Sequence, residues 1–339
     1  MTHVISVLQQ KSFPQPQVNF MNLETFAEWL LCQGHQIIHT PSSYWFDAGP
    51  RVFQAFPYHW IINPSEEEII EMFKKNRLIA LKYSTSLSSS IGQVSYHVIY
   101  EKTSYELSSL CKKARHDVIK GLEHVCCEPI SMSRLAFDGW ELRYETLVRQ
   151  GRQNAETRES WEKMCICAEG LPGFEAWGAI YNGELVAALL SYTLDDTVSI
   201  LYQQSKTDHM KFGVNNALTY SFSHTLLQRP EIGNIFYGLH SLDAPPTVDK
   251  YKFRMGFSAK PLRQRVIFNP ILNPFINSLS LSLLNCMKIF WPNNSKLSNA
   301  EGMIRFFISG NKSLLHQNWP EGLNKQRDAF LANETTIFT

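Results

Sequence analysis

The sequence predicts a mixed α+β fold, a mostly antiparallel sheet flanked by helices, and three observations carry that expectation. Tyr181-Asn182-Gly183-Glu184 is an Asn-Gly turn between two apolar runs, Ala176 to Ile180 and Leu185 to Thr193. That pattern is the strongest short-range signal for a hairpin, and a third alternating run, Thr197 to Gln204, extends it to three antiparallel strands. Next, Gly213 opens a segment whose apolar residues Val214, Leu218, Phe222 and Leu226 recur every four positions, as on one face of a helix. Finally, 339 residues with 44% hydrophobic content exceed one typical domain, so two domains and an appendage are expected.

From the N-terminal side, Leu23 to Gly34 reads as a helix stopped by its glycine. Pro41 to Pro57 reads as a loop. Ser65 to Lys75 is a second helix, with Ser65 as cap, Glu67 and Glu68 in the first turn and Lys74 and Lys75 in the last. Leu78 to Tyr83 and Val94 to Tyr100 read as strands, the latter alternating Val94, Tyr96, Val98 and Tyr100 on one face. A basic helix follows within 104–127, and 133–169 reads as helical with a charged face at Glu141, Arg143, Glu145 and Arg149. After the three-stranded meander and the Gly213 helix, which Pro230 ends, come a buried strand Asn234 to His240, a loop and short helix Asp243 to Phe257, and a strand Leu262 to Phe268.

With 32 Lys+Arg against 31 Asp+Glu, the formal charge is +1, which argues against a broad polyanion-binding surface. The seven cysteines have neither Cys-x-x-Cys spacing nor ligand-spaced histidines, so no metal site is expected. An odd count behind an N-terminal stretch without a basic and then apolar leader predicts reduced thiols and a cytoplasmic setting.

That element order resembles the GCN5-related N-acetyltransferase (GNAT) fold, and within it the FemAB-like branch of tandem-GNAT acyl and aminoacyl transferases. Lys112-Lys113-Ala114-Arg115-His116-Asp117-Val118-Ile119-Lys120 is similar to the Arg-rich helix that those proteins place before the catalytic half. Tyr251-Lys252-Phe253-Arg254-Met255-Gly256 is similar to the aromatic-Lys-x-x-apolar-Gly signature near the end of that half. The resemblance covers about 60–268 and is best over 133–268. It implies two tandem GNAT-like domains, a divergent one at 1–132 and a catalytic one at 133–270, followed by a helical extension at 271–339.

The resemblance further implies that acyl-CoA, acetyl-CoA in the simplest case, is the donor, and that its pyrophosphate meets the loop Lys211-Phe212-Gly213-Val214-Asn215-Asn216. Helix N-termini suit such anions because orphan N–H groups and the positive dipole end converge there. In this reading Gly213 lets the backbone approach the phosphates, Val214, Asn215 and Asn216 donate, Lys211 adds charge, and Gln203 lines the donor site. The family's stretch begins with Gln or Arg and ends with Gly or Ala, where this chain has Met210 and Asn215. In the same reading Arg115 and Lys120 are expected as further phosphate contacts.

In such a fold the ends of the strands 197–204 and 234–240 flank the cleft, which nominates Tyr202, Gln203, Tyr237, His240 and Asp243. An amine attacking a thioester must lose a proton, and His240 is the first base candidate because imidazole titrates near pH ~6.5. Asp243 is the second candidate, Tyr251 the candidate acid, and Lys252 a point charge for a donor phosphate or an acceptor carboxylate. Tyr202 and Tyr237 are expected at the amine-bearing acceptor, a small molecule or cell-envelope precursor. Two other readings remain open: an aminoacyl-tRNA-dependent ligase of FemAB kind, the only one that involves nucleic acid, and a non-catalytic binding module of the same fold.

Ile271 to Trp291 carries a single charge, Lys288, yet its Asn and Ser residues make it too polar for a membrane span. Leu272, Phe275, Ile276, Leu279, Leu283, Cys286, Met287 and Phe290 share one stripe, for which docking on the second domain or a partner is expected, and peripheral membrane contact otherwise.

Overall fold

The computed structural model describes residues 22–152, 154–240, 246–291 and 294–337. The chain forms two compact units that are discontinuous in sequence. One gathers 100–236 and 254–256 together with the N-terminal segment up to 33, and the other gathers 34–99, 237–253 and 257 onward. These limits run differently from 132 and 270, and the helical extension after 270 falls within the second unit.

In the first unit, helix α1 (Leu23–Gln33) belongs with elements far along the chain. Its Phe26 and Trp29 pack on Phe174 and Tyr192, with Phe26 to Tyr192 ring centroids 4.5 Å apart and Trp29 to Phe174 centroids 4.9 Å apart. Helix α3 (Lys112–His124) leads into strand β6 (Cys126–Ile130), and the long helical stretch resolves into α4 (Met132–Arg149) and α5 (Arg158–Cys167). The meander forms as expected from β7 (Phe174–Tyr181), β8 (Glu184–Leu194) and β9 (Thr197–Ser205). Asn182 and Gly183 take φ values of 49° and 85°, the two left-handed positions that a type I′ turn requires. Helix α6 (Val214–Leu226) then crosses to β10 (Asn234–Leu239), which pairs parallel to β9 only from Asn234 to Phe236.

A disulfide joins Cys32 of α1 to Cys167 of α5, which corrects the expectation of fully reduced thiols. No spacing rule reveals a pair 135 residues apart. Closing so long a loop stabilises the fold by about 3–5 kcal/mol, through the entropy it removes from the unfolded chain.

The second unit holds β1 (Ile37–His39), β2 (Tyr44–Gly49), β3 (Val52–Phe56), β4 (Ala80–Thr85), β5 (Gln93–Tyr100) and β11 (Ser258–Phe268). Strands β3 and β4 pair parallel across helix α2 (Glu66–Asn76), whose cap is Ser65, and β11 lies antiparallel to both β4 and β5. The stretch from Pro41 to Pro57 is therefore a hairpin and not a loop. Its prolines punctuate the ends and the turn, while Tyr44, Trp45, Phe46, Val52 and Phe53 are strand formers. Every residue of β5 is buried, so the expected alternation of an exposed and a covered face does not hold there. Helices α7 (Pro246–Arg254), α8 (Ser278–Phe290), α9 (Ser295–Gly310) and α10 (Asn324–Ile337) complete the chain.

One consequence of burying β5 is measurable. His97 is 2% exposed, its Nε2 sits 3.2 Å from the Ser84 hydroxyl, and burial, helped by the charges of His59 and Lys260, pushes its pKa down to about 3. An unfolded imidazole gains its proton as pH falls through ~6.5, whereas the folded one stays neutral, so this contribution to stability is complete above ~6.5 and lost toward 3. Denaturant unfolding at about pH 4.5 should show roughly 3 kcal/mol less stability from this group than at neutral pH. His97→Gln should flatten the slope by that amount.

Candidate functional site

The expected donor loop lies in the first unit. A short 3-10 turn, Met210–Phe212, ends at Gly213, whose φ of 79° places it in the left-handed region, and α6 starts at the next residue. The first intrahelical bond is Ala217 N–H to the Gly213 carbonyl, so the amides of Val214, Asn215 and Asn216 are the first-turn donors. Gly213 has a structural reason to be glycine: a methyl there would overlap the Asp117 carbonyl oxygen of α3. Conversely, a methyl on Gly121 of α3 would lie 2.5 Å from the Gly213 oxygen and 2.8 Å from Ala217 Cβ.

The side chains around this loop hold protein groups. Gln203 on β9 donates from Nε2 to the Asn215 carbonyl at 3.2 Å and to Thr219 Oγ1 at 3.0 Å, clamping strand to helix. Asn215 Nδ2 donates to Ser205 Oγ at 2.9 Å, and Asn216 Nδ2 lies 3.2 Å from Met255 Sδ. Lys120 Nζ donates to the Lys211 carbonyl at 2.9 Å, and the Lys211 ammonium sits 5.1 Å from the Phe212 ring centre. Arg115 donates to the carbonyls of Leu107, Ser108 and Leu110. Tyr202 is half-buried, with the Arg143 guanidinium 4.8 Å from its ring centre and Trp161 edge-on at 5.7 Å, and burial raises its pKa.

An open groove of about 650 Å³ in the same unit, which the sequence reading did not single out, is lined by Phe137, Trp140, Tyr144, Glu184 and Lys206 among others. Phe137 is 56% exposed, and Lys206 bridges Glu141 and Glu184. Exposed aromatic residues within a helix that otherwise reads as a charged face were the available signal.

The expected acid–base residues gather in the second unit. His240 follows β10, its backbone N–H donates to the Tyr96 carbonyl at 2.9 Å, and its carbonyl accepts from Gln264 Nε2 at 3.0 Å. These two bonds anchor the backbone of His240; its ring Nδ1 lies 3.3 Å from Ser95 Oγ, and the ring packs on Tyr96 with centroids 4.6 Å apart. Tyr96 donates its hydroxyl to Asp249 Oδ2 at 2.7 Å, and Lys252 Nζ lies 3.2 Å from Asp249 Oδ1, one helical turn along α7. The Lys252 ammonium also sits 5.0 Å from the Tyr237 ring centre. Tyr237, His240 and Lys252 therefore share one cluster, joined by Ser95, Tyr96, Asp249 and Gln264. Tyr251 lies beside Lys252 on α7, but the hydroxyl that meets Asp249 is that of Tyr96. Asp243 lies outside the described residues.

Burial pushes His240 below the usual imidazole range; Asp249 opposes that shift, and the Arg305 and Lys252 charges add to it. Its ring is therefore neutral near pH 7 and able to accept a proton. Burial likewise lowers Lys252 against the pull of Asp249, and burial followed by the bond to Asp249 raises Tyr96 far above its ordinary value. The set thus offers a neutral base, a partly destabilised cation and a firmly protonated phenol. Among the described residues no group of three or more His, Cys, Asp or Glu is arranged to hold a metal ion.

No protein-family model matches the chain, and no curated protein matches it. Among solved structures, it is similar to the C-terminal DUF2156 domain of a putative lysylphosphatidylglycerol synthetase from Agrobacterium fabrum. The identity is 14% and the TM-score 0.52, over 85% of this chain and 94% of that one. FemX is similar at 9% identity with a TM-score of 0.51, over 80% of this chain and 97% of that one. The chain therefore shares its fold with FemX and with that DUF2156 domain. Neither likeness carries residue roles, which rest on the geometry above.

Proposed function

We propose that this protein is an acyltransferase that moves an acyl group from acyl-CoA, acetyl-CoA in the simplest case, to the amine of a small molecule or cell-envelope precursor. The observation that supports it most is the neutral, backbone-fixed His240 beside the Asp249–Lys252 pair. In this reading the amine nitrogen attacks the thioester carbonyl while His240 takes its proton. The C–N bond forms, the C–S bond breaks as the tetrahedral adduct collapses, and the leaving thiolate recovers a proton from the imidazolium. Lys252 supplies positive charge, for the developing oxyanion or for an acceptor carboxylate. A CoA donor implies a cytoplasmic setting.

A second reading, an aminoacyl-tRNA donor, is favoured by the contact of α3 with Gly213 and the bond from Lys120 to Lys211, which occupy groups expected to meet a pyrophosphate. The similarity to FemX and to a putative lysylphosphatidylglycerol synthetase domain also supports it. Calorimetric titration separates the two. Acetyl-CoA or a longer acyl-CoA should bind with little salt dependence under the first reading. Charged tRNA alone should bind, with affinity falling steeply in salt, under the second. Binding of neither contradicts both.

A further inference from the structure

Helix α8 covers one of its faces and leaves the other bare. Inward, Leu281 and Leu284, with Ile276 just before the helix, pack on a core of Ala80, Val266, Phe268, Ile304 and Phe306. Lys288, the only charge on the helix, lies on this inner side, 3.3 Å from Glu301 of α9, whose other oxygen accepts from Arg305 at 2.9 Å. Outward, Phe275, Leu279, Leu283, Ile289, Phe290 and Trp291 are 69%, 75%, 66%, 77%, 76% and 56% exposed. The polar positions among them, Ser278, Ser282 and Asn285, are uncharged and exposed. So the stripe expected to dock on the second domain or a partner, Ile276 apart, faces away from this core. The helix is held to the protein by its other side.

A continuous exposed apolar face of this size marks an interaction surface. Two features say what covers it. These side chains stand out by more than half of their area, whereas protein interfaces concentrate binding in complementary pockets. A fluid hydrocarbon phase needs no such complement, and a helix of 13 residues, too short to span a bilayer, suits the plane of its surface. The aromatic pair Phe290 and Trp291 at its end is of the type that sits at headgroup level.

Charge gives the second argument. From 269 to 312 the chain carries Lys288, Lys296, Arg305 and Lys312 against Glu301 alone, while the remainder has more acidic than basic residues. Lys296 and Lys312 are exposed. That imbalance complements an anionic surface. We propose that α8 docks this protein on an anionic lipid bilayer, its Leu279, Leu283 and Phe290 face inserted among the acyl chains and Lys296 and Lys312 near the headgroups. The inference goes beyond acyl transfer and does not depend on it.

The test is flotation of the full chain with vesicles of phosphatidylcholine alone and of phosphatidylcholine with phosphatidylserine. The protein should float with the anionic vesicles, at least about tenfold more than with neutral ones, and less so at high salt. Leu279→Glu with Leu283→Glu should abolish flotation at an unchanged melting temperature, since both side chains are exposed. Lys296→Glu with Lys312→Glu should erase the preference for the anionic vesicles. Failure to bind any vesicle, or equal binding to both kinds, overturns the proposal. So does a dimer in light scattering that the Leu279→Glu and Leu283→Glu pair dissolves, which would assign the face to a second copy.

Discussion

Gly213→Ala is expected to destabilise the first unit by about 2–5 kcal/mol, from a strained left-handed alanine and an overlap with a backbone that cannot swing away. The left-handed φ of 79° contributes the first part. The second is larger, because the atom in the way is the Asp117 carbonyl oxygen inside α3 and not the end of a flexible side chain. Gly121→Ala attacks the same contact from the other side, where the methyl would meet the Gly213 oxygen at 2.5 Å. Because the two helices part only once, the double variant should cost less than the sum of the singles. Urea denaturation of the three variants checks this. If Gly213→Ala keeps the stability of the parent and loses only donor affinity, the glycine serves a ligand and not the helix contact.

His240→Ala is expected to slow acyl transfer by roughly 10²–10⁴-fold, the usual worth of a positioned general base. Its melting temperature should stay close to the parent's, because the bonds anchoring this position, to the Tyr96 carbonyl and from Gln264, belong to its backbone. The pH profile gives an independent sign. A base whose pKa lies below the ordinary imidazole value stays active as pH falls through ~6.5, and activity is lost only as the pH drops through the depressed value. That acidic limb should vanish in His240→Ala. A limb that remains assigns the titration to another group.

How far the sequence revealed this site depended on the range of the interaction involved. Local signals held: the Asn182-Gly183 turn, the Ser65 cap and the four-residue spacing after Gly213 all depend on neighbours within a few positions. His240, Lys252 and Tyr237 were legible as candidates, since a strand end and a helix lie close together in the chain. Ser95 and Tyr96 were not, because they meet His240 across 145 and 144 residues through strand packing that leaves no local pattern. Asp249 was within reach of a sequence argument: it stands three residues before Lys252, a spacing that places both on one helix face.

Gly213 shows the converse. Sequence alone offered a ligand as the reason for a glycine at a helix start, whereas the tertiary contact with Asp117 supplies another reason. Cys32 and Cys167, which no spacing joins, meet only because α1 and α5 pack together, as the bond from Trp29 Nε1 to the Met164 carbonyl also shows. For α8, helical periodicity identified an apolar stripe but not which side the core would take. That depended on Ile304 and Phe306, contributed by the next helix.

The most direct test of the acyltransferase reading is donor turnover by the purified protein. Radiolabelled acetyl-CoA, longer acyl-CoAs and charged tRNA are each supplied with a mixture of amine acceptors, and the label is followed into a new amide. One donor class should be consumed with stoichiometric amide formation, and His240→Ala should suppress it while remaining folded. If the folded protein consumes no donor of either class, or turns one over equally well without His240, it is not an acyltransferase that uses this base.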